Sequence, residues 1–369
     1  MPQLRIPAIR ALALVGLAVL CGCQPPQPIR IAFLGGFNGR LSDLAIDGRN
    51  GAQLAVETLN AQGEQRYELR VHDDQHDPAL SRTLIDDAVR EGDAFAVGPM
   101  TSALALEMAK EANLRQFVVI TPTANADALS GQDDYLFRTI TAAGPGAEQL
   151  ARATFARGWK RASVMMEWHN RLYSEDVGLA FGNRLESLGG EPVNYVHYQT
   201  DAGPDFAAIA AQVLASHPQV VLLACGAVDA SIAAQQLRRL DPDVKIELAS
   251  WAANEQLLQL GGRALEGALV QQVLDLDSHA PAYLDFLRRY EARFGTVPGQ
   301  AGVYSYEAAM MGATALKKRA AGQSLRDVLR QPARWPGLQA PLVLDRYGDR
   351  ANIFYLSEVR DGRFVMLPS

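Results

Sequence analysis

Cysteine is nearly missing from this chain: three in 369 residues, of which Cys21 and Cys23 stand in the first 23. Beyond them only Cys225 remains, so no intramolecular disulfide can staple the body and its core must hold the fold. Cys225 closes the apolar run Val220-Val221-Leu222-Leu223-Ala224, a setting for a buried, inert thiol rather than a nucleophile. Positive charge is not in excess. With 35 Lys and Arg against 41 Asp and Glu, the net charge of −6 excludes the basic footprint of a nucleic-acid binder and a polybasic membrane surface. Neither GxGxxG nor GxxxxGK[ST] occurs, and Gly35-Gly36-Phe37-Asn38-Gly39 has the wrong spacing, which removes the common phosphate loops. GxSxG and HExxH are absent too, so two hydrolase signatures are gone and no enzyme is expected. No apolar run reaches the ~20 residues of a membrane-spanning helix. Internal repeats, heptads and low-complexity tracts are also missing.

What is present begins with the first 28 residues. Arg5 and Arg10 precede the apolar run Ala11–Leu20, and Leu20-Cys21-Gly22-Cys23 follows as a lipobox. That order predicts an export signal over residues 1–23, a mature N-terminus at an acylated Cys23, and a body held at an extracytoplasmic membrane face. Gln24-Pro25-Pro26-Gln27-Pro28 reads as a short, extended tether over residues 24–28.

The body alternates short β-type runs with amphipathic segments, which predicts an α/β protein of mainly parallel sheets. Strands are expected at Ile29–Leu34, Tyr67–Val71, Ala94–Val97 and Phe117–Ile120. The helices between them carry Ala52, Ala55, Val56 and Leu59 on one face, then Leu80, Leu84, Ile85 and Val89 behind the Asp77-Pro78 cap, then Ser102–Ala112. After Gly144-Pro145-Gly146 opens a helix, a second series has strands at Ala162–Met166, Val193–Tyr198, Gln219–Cys225 and Lys245–Ser250. Its helix through Val177, Phe181 and Leu185 should stop at Gly189-Gly190. Leu269–Leu274 leads back toward the first series, helices near Pro281–Phe294 and Gln300–Ala321 pack there, and strands Ile353–Val359 and Arg363–Leu367 return to the second. The expected architecture is two doubly wound lobes, residues 29–141 plus about 272–335 and residues 142–271 plus about 336–369. Several crossings join them and can act as a hinge around a cleft.

In open α/β sheets a ligand lies beyond the carboxyl ends of the strands, which selects a short set of loops. They are rich in hydroxyls, amides and glycine, suited to hydrogen-bonded capture of a small polar molecule. Gly98-Pro99-Met100-Thr101-Ser102 leads from strand to helix, so its free N–H groups and the Thr101 and Ser102 hydroxyls either hold an acceptor or only cap the helix. The carboxylates and imidazoles of His72-Asp73-Asp74-Gln75-His76-Asp77 lack a metal-ligand period, and Asp77 serves as a helix cap without one; no metal or other cofactor is expected. Trp251 at a strand end is either a lid over the core or a wall for a flat ligand.

In order along the chain, Gly48-Arg49-Asn50-Gly51-Ala52-Gln53-Leu54-Ala55-Val56-Glu57, Asp73-Asp74, Gly98-Pro99 with Ser102, Thr121-Pro122-Thr123-Ala124-Asn125, Phe137-Arg138, Asp205-Phe206 and Glu266-Gly267 resemble the type I periplasmic binding proteins of the leucine/isoleucine/valine-binding family. The resemblance implies a monomeric extracytoplasmic receptor that closes two lobes on an amino acid or related molecule and serves an ABC permease. It also implies ligand contacts at Ser102, at Thr123, Ala124 and Asn125, and at Tyr173, beside the Thr101 hydroxyl that the strand-to-helix loop itself offers. Two positions depart from the family. Ala227 stands where an aromatic is usual, and Ser250-Trp251 where an acid meets the ligand's ammonium group. Burying an ammonium without a carboxylate is costly, so either Asp229, Glu167 or Asp43 replaces the acid, or the ligand lacks that group. The second alternative leads to a neutral or anionic ligand with a flat face against Trp251. A different role is a lipoprotein of the same architecture that senses for, or activates, a partner protein.

Overall fold

The computed structural model describes residues 27–39, 42–200, 203–351 and 353–368; the export signal, Cys23 and most of the expected tether lie outside them. The chain begins with β1 (Ile29–Gly35), α1 (Ser42–Ala61), β2 (Tyr67–Asp73), α2 (Pro78–Arg90), β3 (Phe95–Val97), α3 (Ser102–Arg115), β4 (Val119–Thr121) and β5 (Leu136–Arg138). These five strands form one wholly parallel sheet in the order β2-β1-β3-β4-β5. The central strands are buried on both faces, which is why they read as continuous apolar runs. Asp77 caps α2 by accepting from the Ala79 amide at 2.8 Å, with Pro78 in the first turn.

The second series is α4 (Ala143–Ala156), β6 (Ala162–Glu167), α5 (Arg171–Ser187), β7 (Asn194–Tyr198), α6 (Phe206–Leu214), β8 (Val220–Ala224), α7 (Ala227–Leu240), β9 (Lys245–Leu248), α8 (Glu255–Gly261) and β10 (Leu269–Gln272). The chain then returns to the first lobe with α9 (Pro281–Phe294), α10 (Gln300–Lys318), α11 (Leu325–Leu329) and the small ribbon β11 (Arg334–Trp335) and β12 (Leu342–Val343). It ends in β13 (Tyr355–Arg360) and β14 (Arg363–Met366). The second sheet runs β14-β13-β10-β9-β8-β6-β7, parallel except for β13 and β14, which pair antiparallel at its edge. The chain is therefore α/β with two doubly wound lobes, as the alternation predicts.

Helix α10 lies along α1, and glycine sets their separation. A Cβ on Gly51 would stand 1.9 Å from the Gly302 carbonyl oxygen. α5 ends at Ser187, with Gly189 at φ +100° just beyond. Two local expectations need correction. β5 was not foreseen as a strand, because it is three residues long and ends in the charged Arg138. The strand expected through Ser250 stops at Leu248, and Ser250–Ala252 turns as a 3₁₀ helix that aims Trp251 at the first lobe.

Candidate functional site

The site grows from β6. Glu167 at its end is fully buried and accepts hydrogen bonds from the His169 and Asn170 amides, both at 2.7 Å. Burial raises its pKa; the Asn170 and His169 amides pull it back and the nearby Asp229 raises it further. The turn this carboxylate imposes delivers Asn170 to the first lobe. There the Asn170 Oδ1 accepts from the Ser102 amide at 3.0 Å and the Ala103 amide at 3.4 Å. These are free N–H groups at the positive end of α3, so a neutral amide from the opposite lobe fills a seat suited to an anion.

The expected first-lobe residues turn inward. Ser102 Oγ accepts from the Asn125 and Ala126 amides, each at 3.1 Å. The Thr101 side chain makes no capping bond, Thr123 Oγ1 donates to the Met100 carbonyl at 2.6 Å, and the Ala124 amide donates to Thr121 Oγ1. On the second lobe, the Tyr173 hydroxyl accepts from the Trp251 amide at 3.2 Å and lies 3.4 Å from Ser250 Oγ. Burial pushes that phenol up to about 12, so it stays protonated. The Tyr173 and Trp251 rings meet edge to face, centroids 5.6 Å apart. Asp229 accepts from the Tyr198 hydroxyl at 2.8 Å.

Thr123, Asn125, Tyr173, Ser250 and Trp251 line one inner cavity between the lobes; Thr101, Ser102, Ala124 and Asp229 stand outside its lining. That cavity measures about 10 Å³, room for about one water. Asn170 and Gln300 also line it, and neither was singled out from the sequence. Asn170 lies in the strand-end loop after β6, but its target is 68 residues away. Gln300 follows the Pro298-Gly299 helix start, and its Nε2 donates to the Ser250 carbonyl at 3.0 Å.

A larger chamber of about 460 Å³ adjoins the inner cavity, sharing Leu44, Trp251 and Gln300 with it. It too lies between the lobes, walled by the start of α1, the end of α9, the start of α10 and the Trp251–Gln259 segment. Across it the Asn254 amide nitrogen donates to Asp43 Oδ2 at 3.0 Å. Asp47, half-buried on the same helix, accepts from the Tyr290 hydroxyl and the Gly299 and Gly302 amides, and desolvation of its carboxyl still lifts its pKa to about 6.

The model of a family described as periplasmic binding protein matches residues 28–363. The chain belongs to that family. Among periplasmic binding proteins, a Leu/Ile/Val-binding protein homologue of Brucella melitensis is 23% identical over 279 residues, covering 74% of each chain. The Leu/Ile/Val-binding protein of Escherichia coli K12 is 21% identical over 273 residues, 71% of this chain and 74% of its own. In structure, a leucine-binding protein of Thermotoga maritima superposes with a TM-score of 0.83 at 20% identity, covering 92% of this chain and 98% of its own. A solute-binding protein of R. palustris in complex with benzoate gives the same TM-score at 19% identity, covering 92% and 96%. At such identities the structural likeness establishes the fold.

Proposed function

We propose that this chain is an extracytoplasmic receptor, anchored by acyl chains on Cys23, that closes its lobes on a small polar solute and delivers it to the permease of an ABC importer. One observation carries the reading. Strand-end segments of both sheets and the start of α10 enclose the same cleft and meet across it at Asn170–Ser102, Asn254–Asp43 and Gln300–Ser250. Contacts made only when the lobes meet are what a receptor needs to couple occupancy to shape. Relatives named for leucine, isoleucine and valine, and a neighbour holding benzoate, support a solute of similar size. The lobes proposed with this reading are residues 29–141 plus about 272–335 and 142–271 plus about 336–369, with Asn125, Tyr173 and Trp251 facing the solute.

A thermal-shift panel of amino acids, amides and carboxylic acids tests it. A solute at 100 times its Kd should add about 2.7 kcal/mol of stability. Small-angle scattering should then show a more compact particle than an open, unliganded population. If no solute shifts the melting curve and none changes the scattering profile, the receptor reading falls. Mass spectrometry of the membrane fraction should find a lipid-modified peptide starting at Cys23. The second role, action on a partner protein, draws support from the inner cavity being filled by the protein's own groups; a solute-insensitive protein that co-purifies with a membrane partner would favour it.

A further inference from the structure

The chamber beside the inner cavity is lined by residues that hold four buried polar atoms without partners in the protein. Asp43 Oδ1, Trp251 Nε1, Gln256 Oε1 and Gln300 Oε1 are all buried and make no hydrogen bond. Each belongs to a residue that lines the chamber, and the Trp251 and Gln300 side chains stand in residues only 4% and 7% exposed. A buried, unpaired polar atom costs on the order of 1–3 kcal/mol, more for a charged one, so four around one space call for a molecule that pairs them. The Ser250 carbonyl fixes the Gln300 amide, since the opposite flip would set two oxygens against each other. The set is thus three acceptors, one of them a carboxylate, and one donor.

Charge narrows the chemistry. Asp43, Asp47, Glu255 and Glu291 line the chamber, and no Lys, Arg or His does. Asp47 is spent on Tyr290 and two amides, whereas Asp43 keeps one oxygen after pairing the other with Asn254. Glu167 is turned away into its own loop amides. Two helix starts in the cleft that would draw an anion are already served: α3 by Asn170, and α10 by Asp47, which accepts from the Gly299 and Gly302 amides.

We propose that this chamber is a subsite for an organic cation: a primary ammonium bound by Asp43 and Gln300, carrying a neutral carbonyl that accepts from the Trp251 indole. An amino-acid amide carries both groups, and a cleft of about 460 Å³ holds it. This assignment rests on the receptor reading above and reverses the expectation of a neutral or anionic solute. It answers the missing acid at Ser250-Trp251 by moving the carboxylate to the other lobe.

Four probes of one size separate the charges: leucinamide, leucine, 4-methylpentanamide and 4-methylpentanoate. Isothermal titration should find leucinamide tightest, with 4-methylpentanamide weaker on the order of 10- to 100-fold for want of the ammonium, and 4-methylpentanoate weakest. Asp43→Asn should weaken leucinamide by a similar factor while keeping the bond to Asn254. Trp251→Phe, which retains a ring and removes only the N–H, should weaken it several-fold and serves if the first variant fails to fold. Equal or tighter binding of 4-methylpentanoate, or unchanged leucinamide affinity in both variants, would overturn the subsite. If none of the four binds while another solute of the thermal-shift panel compacts the protein, the subsite is wrong and the receptor reading stands; if nothing compacts it, both fall.

Discussion

Asn170 couples the lobes through a single side chain. Its Oδ1 satisfies two free amides at the start of α3, and its own backbone amide is held by Glu167, so the closed cleft is stabilised by a group that belongs to the protein. A helix cap is worth about 1 kcal/mol, comparable with the small free-energy gaps between open and closed states. Asn170→Ala should therefore shift the unliganded protein toward the open form, read as a larger radius of gyration by small-angle scattering. An identical profile would mean that Asn254–Asp43 and Gln300–Ser250 close the cleft alone. The variant also exposes the start of α3 as an anion seat, so the affinity for benzoate should rise. Residue-scale legibility follows the same division. Thr123, Asn125, Tyr173, Ser250 and Trp251 could be named because strand-end loops are local in sequence, and they line one cavity. Asn170 and Gln300 could not be ranked above their neighbours, because what distinguishes each is a partner in the other lobe.

The elements were mostly readable where burial leaves a pattern. β8, buried at every position, is the apolar run Val220–Ala224, and α9 is bounded by Pro281 and Gly295 as the sequence punctuates it. β5 escaped because Arg138 is charged; its guanidinium is satisfied by Asp349 at 2.7 Å and by the Ala126 carbonyl, contacts that only the folded chain supplies. The packing of α10 on α1 is a tighter constraint than the apolar period of either helix conveys. Alanine at Gly51 would gain up to about 1 kcal/mol of helix propensity, yet its Cβ would meet the Gly302 backbone, which cannot move as a side chain end can. Overpacking of this kind costs about 1–3 kcal/mol, so Gly51→Ala should lower the midpoint of urea unfolding despite the better helix former. A raised midpoint would show that the two helices can separate at no cost.

Over the whole molecule, three crossings join the lobes: β5 to α4, β10 to α9 and β12 to β13. Arg350 ties two of them by donating to the Thr139 carbonyl at 2.6 Å, and it faces Glu307 at 3.4 Å. Buried carboxyls such as Glu307 give the fold an unusual dependence on pH. Desolvation lifts Asp47 and Asp134 to about 6, Glu307 to about 7 and Glu247, in the centre of the second sheet, to about 8. The Glu247 geometry agrees with a neutral acid. Thr154 Oγ1 lies 2.8 Å from the Leu150 carbonyl and 2.8 Å from both Glu247 oxygens, and a hydroxyl has one proton, so when Thr154 bonds Leu150 the acid must donate its own. A folded-state pKa above the unfolded value means that the folded chain binds more protons between the two. Stability is then greatest below the unfolded value near 4.5 and falls as pH rises toward about 8, the reverse of an ordinary salt-bridged carboxylate. Each pKa unit is worth about 1.4 kcal/mol, which puts Glu247 alone on the order of a few kcal/mol. The exposed Asp133, lowered by Arg330, has the opposite sign but acts only below its ordinary value near 3.8. The melting temperature should thus fall between pH 5 and pH 8. Glu247→Gln, whose amide can donate to Thr154 at any pH, should flatten that fall and be the more stable form at pH 8; a slope unchanged by the substitution would place the lost stability elsewhere, with Glu307 and Asp47 next to be replaced.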